Sequence, residues 1–206
     1  MIVCDLQYFP PITFFVTLYK ETHVHLDVYE IYRKMSFRNR CLIAGAQGII
    51  SLSVPLKDGR NQQLPLNEVL ISDSEKWQLR HFKSLQSSYS RSPFFEHYQE
   101  ELELLFQKPA DRLVDWNLRC LNWVRKKVDW PAEIHFTERA VPFQAEGIND
   151  CRNLILPKNY DHWNLVRYRQ VFEEKTGFIP NLSILDLIFN AGPLSGALLR
   201  EAALTI

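Results

Sequence analysis

The apolar residues of this chain recur with one rhythm before residue 72 and another after it, and that change constrains the fold more than any other feature. Met1 to Leu6 reads as a buried strand, and Pro10-Pro11 interrupts it. Pro11 can open a helix, because the amide it lacks would be unpaired in the first turn anyway; the all-apolar run Ile12 to Tyr19 supplies that helix. From Thr22 to Tyr32 the chain alternates, with His23, His25 and Asp27 on one side and Val24, Leu26 and Val28 on the other. Alternation is the rhythm of a half-buried strand. Cys41 to Ala44 and Ile49 to Pro55 flank Gly45-Ala-Gln-Gly48, a hairpin with glycines at its turn. A polar turn at 57–61 and a short strand over Val69–Ile71 complete this part.

After Ser72 the pattern is helical. Ser72 and Glu75 have the spacing of a capping box. Trp77, His81, Leu85 and Tyr89 then recur every fourth residue and draw one stripe down a helix. Ser92-Pro93 opens a second helix running through Phe106, and Pro109 a third running through Val128. Glu133 to Thr137 reads as a strand, and residues 138–162 as irregular. Ser183 caps a helix that Gly192-Pro193 ends, and Gly196 to Leu204 forms a terminal turn or helix. Strands first and helices after predict an α+β fold. The expectation is one domain over 1–206, strand-rich over 1–72 and helix-rich over 73–206. Its N-terminal mixed β-sheet, with a hairpin, would pack against a largely helical C-terminal half.

Composition removes several function classes. Lys and Arg together balance Asp and Glu at 24 each, so the chain lacks the basic excess of a nucleic-acid binder. No apolar run is long enough to span a bilayer, and the N-terminus has no basic stretch or cleavage site of a signal peptide. A cytoplasmic protein is expected. Cys4, Cys41, Cys120 and Cys151 include no C-x-x-C pair, which points to free thiols rather than a structural zinc site. Glycine loops of the phosphate-binding and dinucleotide-binding kinds are absent, so no cofactor is expected.

The densest polar segment is Tyr32 to Cys41, with Arg33, Lys34, Arg38 and Arg40 around a thiol. Arg38 and Arg40 share a face of an extended chain, where two guanidiniums repel unless an anion or internal carboxylates sit between them. Arg38, Arg40, Tyr32 and Lys34 are thus candidate substrate contacts, against the alternative that the arginines pair inside the protein. Neighbouring cations would favour the Cys41 thiolate, with His81 as its base; the alternative is a packed cysteine and a structural histidine. Asn39 could donate to a developing oxyanion. Trp77 and Tyr89 could stack on a ligand, although a stripe at helical spacing also suits a core. His23-x-His25-x-Asp27 has the spacing of a metal site on a strand, but it equally describes a solvent-facing strand, and no metal is expected.

The segment Tyr29-Glu-Ile-Tyr-Arg-Lys-Met-Ser-Phe-Arg-Asn-Arg-Cys41 resembles the signature of WbqC-like proteins in the form found in Bacteroidetes. Further blocks match in order: Ile43 to Gly48, Leu52 to Pro55, Ile71 to Asp73, Trp77 with His81, Tyr89 to Tyr98, Tyr168 to Ser183, and Phe189 to Pro193. Where other branches begin with histidine, glutamine and proline, this chain has Asp5-Leu-Gln7, so no role of that histidine transfers. Ile31 stands where a polar residue is usual. The resemblance implies a place in O-antigen or other surface-polysaccharide synthesis. It also implies a transferase of an acyl or aminoacyl group, glycine included, onto a sugar precursor. The substrate would be a small-molecule or carrier-linked anion. A non-catalytic binding protein for a sugar nucleotide or carrier is the alternative.

Overall fold

The computed structural model describes residues 1–73, 76–143, 145–163 and 166–205. Its centre is a parallel sheet of four short strands. β1 (Ile2–Cys4) lies between β2 (His23–Leu26) and β6 (Asn149–Asp150), and β5 (Glu133–Phe136) extends the sheet beyond β2. β1 is apolar throughout because it is paired on both edges and buried on both faces. Pro11 caps α1 (Ile12–Leu18), which carries the chain over the sheet from β1 to β2.

The expected hairpin forms a separate antiparallel pair, β3 (Arg40–Gly45) and β4 (Gly48–Ser53). Gly48 turns it at φ +117°, and a Cβ on Gly45 would lie 2.5 Å from Ile50 Cδ1. Gly48 supplies the positive φ of the turn, and a side chain at Gly45 would have to displace that of Ile50.

Helices dominate the rest: α2 (Trp77–Tyr89), α3 (Phe95–Gln107), α4 (Leu113–Lys127), the short α5 (Glu173–Thr176), α6 (Ile184–Ala191) and α7 (Ser195–Ala203). The architecture is α+β, with most helices in the C-terminal half. None of these helices is long and apolar enough to cross a membrane. The stripe on α2 is core. Trp77 meets Trp116 of α4 edge-on at 5.1 Å, and Leu85 and Tyr89 are fully buried. Ser183 caps α6 by accepting from the Leu185 amide at 3.4 Å, and Gly192 ends the helix at φ +53°.

Three expectations change. The sheet is not confined to residues 1–72: β5 and β6 join it from the second half, and β6 lies in the stretch read as irregular. The strand and the residue after it pair through Asn149 N–H to Met1 O (2.9 Å) and Cys151 N–H to Val3 O (2.8 Å), a register no periodicity announces. Val69–Ile71 makes only isolated bridges, Leu70 to Arg112 and Ile71 to Leu56. Finally, α2 starts at Trp77 with Lys76 as its uncapped boundary; Glu75, the second half of the expected capping box, lies outside the described residues.

Candidate functional site

All four sheet strands run the same way, so their carboxyl ends meet at one edge, and the next residues of each chain segment are polar. Asp5 follows β1, Asp27 follows β2, Thr137 follows β5, and Asp150 ends β6 just before Arg152. Open parallel sheets bind ligands outside this edge. Here it holds two buried charge clusters.

In one cluster, Arg152 joins two strands. Its Nη1 donates to Asp27 Oδ2 (2.6 Å) and Val141 O (2.7 Å). Its Nη2 donates to Asp150 Oδ2 (2.6 Å) and Pro142 O (3.2 Å), and its Nε to Asp150 Oδ1 (2.9 Å). Asp27 Oδ1 accepts the Tyr29 and Glu30 amides at 3.0 and 3.2 Å, which turns the chain as it leaves β2.

In the other cluster, Arg38 is fully buried between two carboxylates. Its Nε and Nη2 donate to Glu30 Oε1 at 2.9 and 2.6 Å, and its Nη1 lies 3.4 Å from Asp5 Oδ2. Asp5 also accepts from Gln7 Nε2 (3.0 Å) and the Asn153 amide (2.9 Å). Burial raises the Glu30 carboxyl to about 7, with Arg38 opposing the rise. Three buried polar atoms of this cluster, Gln7 Oε1, Asn153 Oδ1 and Arg38 Nη1, have no hydrogen-bond partner. Unpaired buried polar groups are costly, and a water or a ligand can satisfy them.

Glu30 opens into a groove of about 430 Å³. Tyr32, Arg33, Lys34, Arg60, Asn61 and Asn153 line it with Glu30, so cations outnumber the carboxylate at the rim. Lys34 Nζ donates to Asn61 Oδ1 at 3.2 Å, which joins the two sides of the groove.

This geometry divides the residues singled out by sequence. Tyr32 and Lys34 line the groove, and Arg38 supports it from beneath. Arg38 itself is closed to substrate: it pairs with internal carboxylates, the alternative left open by the sequence. Arg40 is half-buried on β3, and its Nε has no partner. Asn39 is committed internally, accepting from Tyr32 Oη (3.0 Å) and donating to Val54 O (3.0 Å), so its amide is not a free oxyanion donor.

Cys41, His81 and Trp77 lie in the core instead. Cys41 is 1% exposed, and burial pushes its thiol up, contrary to the expected thiolate. His81 Nδ1 bonds Tyr8 Oη at 3.0 Å, and its ring meets Trp77 edge-on at 5.2 Å. Tyr89 Oη donates to the buried Asp186 at 2.7 Å and accepts the Ala44 amide at 3.0 Å, which ties α2 to α6 and β3. These side chains hold the fold together.

Burial lowers His81 to about 4, opposed by a backbone bond at Ser53. An unfolded histidine titrates near 6.5, so the unfolded chain binds the extra proton between these values. His81 therefore contributes stability above pH ~6.5 that is lost as pH falls toward 4, about 3 kcal/mol in all. Urea titrations of His81→Gln and wild type across pH 4–7 check this. The variant should lack the rise in stability with pH that wild-type His81 supplies; identical pH slopes would contradict it.

Sequence reasoning missed Glu30, Asp5, Asp150, Arg152, Asn153 and Arg60 as site residues. Glu30 sits two residues before the cationic segment, which was the available signal. The others converge only through the parallel register.

A model of the WbqC-like protein family matches residues 7–155, most of the chain and every residue that lines the groove. The chain belongs to the WbqC-like protein family. It is also similar to Uncharacterized protein Rv1507c of Mycobacterium tuberculosis, 26% identical over 187 residues that cover 78% of this chain and 80% of the relative. No solved structure matches the chain.

Proposed function

We propose that this WbqC-like chain is a cytoplasmic transferase working in the groove at Glu30. It moves an acyl or aminoacyl group, glycine among them, onto an amine or hydroxyl of a sugar precursor for surface polysaccharide such as O-antigen. The reaction class rests on the family resemblance. The place rests on one observation: a largely buried carboxyl, held by Arg38, opens into a cation-rimmed groove at the carboxyl edge of a parallel sheet.

Glu30 near 7 is suited to general acid–base work at neutral pH. Both bonds from Arg38 go to Oε1, which leaves Oε2 for a substrate proton. In this reading Glu30 takes a proton from the attacking amine or hydroxyl as the new bond forms, then returns it to the leaving group. Arg33, Lys34 and Arg60 hold the phosphate or carboxylate of a small or carrier-linked substrate. We also read residues 1–206 as one domain, because the sheet takes strands from both halves of the chain.

Calorimetric titration with inorganic pyrophosphate and with UDP tests the groove. Saturable binding that weakens with added salt is expected. Arg33→Ala with Arg60→Ala should weaken it by about tenfold or more, since two charge-assisted contacts are lost. Equal affinity in wild type and variant, or no binding to either probe, would remove the reading.

A further inference from the structure

At the other end of the sheet, the parallel register places His23 of β2 beside Glu133 of β5, and His25 beside His135. Paired residues of neighbouring strands project to the same face, so the four side chains form one patch. We propose that His23, Glu133 and His135 form a divalent-cation site, of the zinc type, that fastens β5 to β2.

The ligand atoms are already grouped. His23 Nδ1 lies 3.2 Å from His135 Nε2 and 3.4 Å from Glu133 Oε2, and His135 Nε2 lies 3.7 Å from Glu133 Oε2. Zinc holds nitrogen and oxygen ligands at about 2.0–2.2 Å, so two ligands of a tetrahedral ion stand about 3.3–3.6 Å apart. The three atoms therefore occupy one face of such a tetrahedron, with a fourth corner toward solvent for water. Two imidazoles and a carboxylate are a donor set that zinc accepts. His23 and Glu133 are exposed, so an ion can enter without rearrangement of the core. His25 stacks on His135 with centroids 5.1 Å apart and planes at 27°, which fixes the ring of one ligand.

A hydrogen bond between His23 and His135 satisfies only one pair of ring nitrogens, whereas an ion between all three groups engages three lone pairs at once. The ligands come from the first residues of β2 and from β5, whereas the Glu30 groove lies past the carboxyl ends of the strands. The ion would thus act on strand pairing, independently of the proposed transferase groove. The sequence pattern His23-x-His25-x-Asp27 pointed toward this site but with the wrong partners: Asp27 is buried at the far end, and the other two ligands lie on β5.

The test is titration of the EDTA-treated full chain with zinc sulfate by calorimetry, and with cobalt(II) by visible absorption. One ion per chain should bind, and the thermal midpoint should rise with zinc concentration. His135→Ala and Glu133→Gln, both on an exposed patch, should each weaken binding by about tenfold or more. Cys151→Ser should leave binding unchanged, and cobalt spectra should show nitrogen and oxygen ligands without thiolate charge-transfer bands. Unchanged affinity in His135→Ala and Glu133→Gln, thiolate bands, or no saturable binding would each overturn the site. His135→Ala should keep its affinity for pyrophosphate, which separates this result from that of the Glu30 groove.

Discussion

Arg152→Met is expected to cost about 3–5 kcal/mol of folding stability, because removing one partner of a buried charge cluster leaves the others uncompensated. Arg152 supplies donors to Asp27, Asp150 and the carbonyls of Val141 and Pro142, from a side chain almost wholly buried. Without the guanidinium, the buried carboxylates of Asp27 and Asp150, at the ends of β2 and β6, would lose the ion pairs that Arg152 gives them. Arg152→Lys should restore only part of the loss, since an ammonium cannot reproduce the planar fork that engages two carboxylates and two carbonyls. Urea unfolding is the measurement. A lowered midpoint at unchanged slope is expected. A change below about 1 kcal/mol, the range of exposed ion pairs, would mean that the cluster is open to water.

Glu30→Gln carries the second large effect. If Glu30 moves the proton in transfer, its amide replacement should lower turnover by about 10²–10⁴-fold, the range for loss of general acid–base catalysis. Pyrophosphate affinity should survive, because the cations of the rim remain. Turnover of wild type should depend on a group titrating near 7, and that limb should vanish in whatever activity the variant keeps. Cys41→Ser should retain turnover, since the thiol is buried and burial disfavours its thiolate. Wild-type turnover in Glu30→Gln would exclude Glu30 as the acid–base group. Binding of both probes with no transfer to any acceptor would favour the alternative, a non-catalytic binding protein for a sugar nucleotide or carrier.

Local pattern carried much of the fold. Alternation marked β2, two glycines marked the β3–β4 hairpin, and Ser183 with Gly192 bracketed α6. Each of these signals acts within a few residues. The parallel sheet was less legible, because β1 and β6 meet across more than 140 residues and β6 is two polar residues with no apolar face. The site was legible to the same degree. Tyr32, Lys34 and Arg38 stood out as a charge run, and that run does flank the groove. Glu30 did not, because its elevated proton affinity comes from burial, against the opposing pull of Arg38, and with a further push from the Asp5 carboxylate, none of which sequence displays. Cys41 and His81 attracted attention by residue type. The physical argument against them as a reactive pair is packing: Cys41 is buried and burial disfavours its thiolate, while His81 is bonded to Tyr8 and packed on Trp77.

The most direct measurement is a carbon NMR titration of the side-chain carboxyls, with Glu30 assigned by its absence in Glu30→Gln, run with and without pyrophosphate. Glu30 should titrate near 7 in the free protein, and higher when a second anion occupies the groove beside it. A carboxyl that titrates at the ordinary value for glutamate and does not respond to pyrophosphate would show that this groove is neither the acid–base centre nor the anion site.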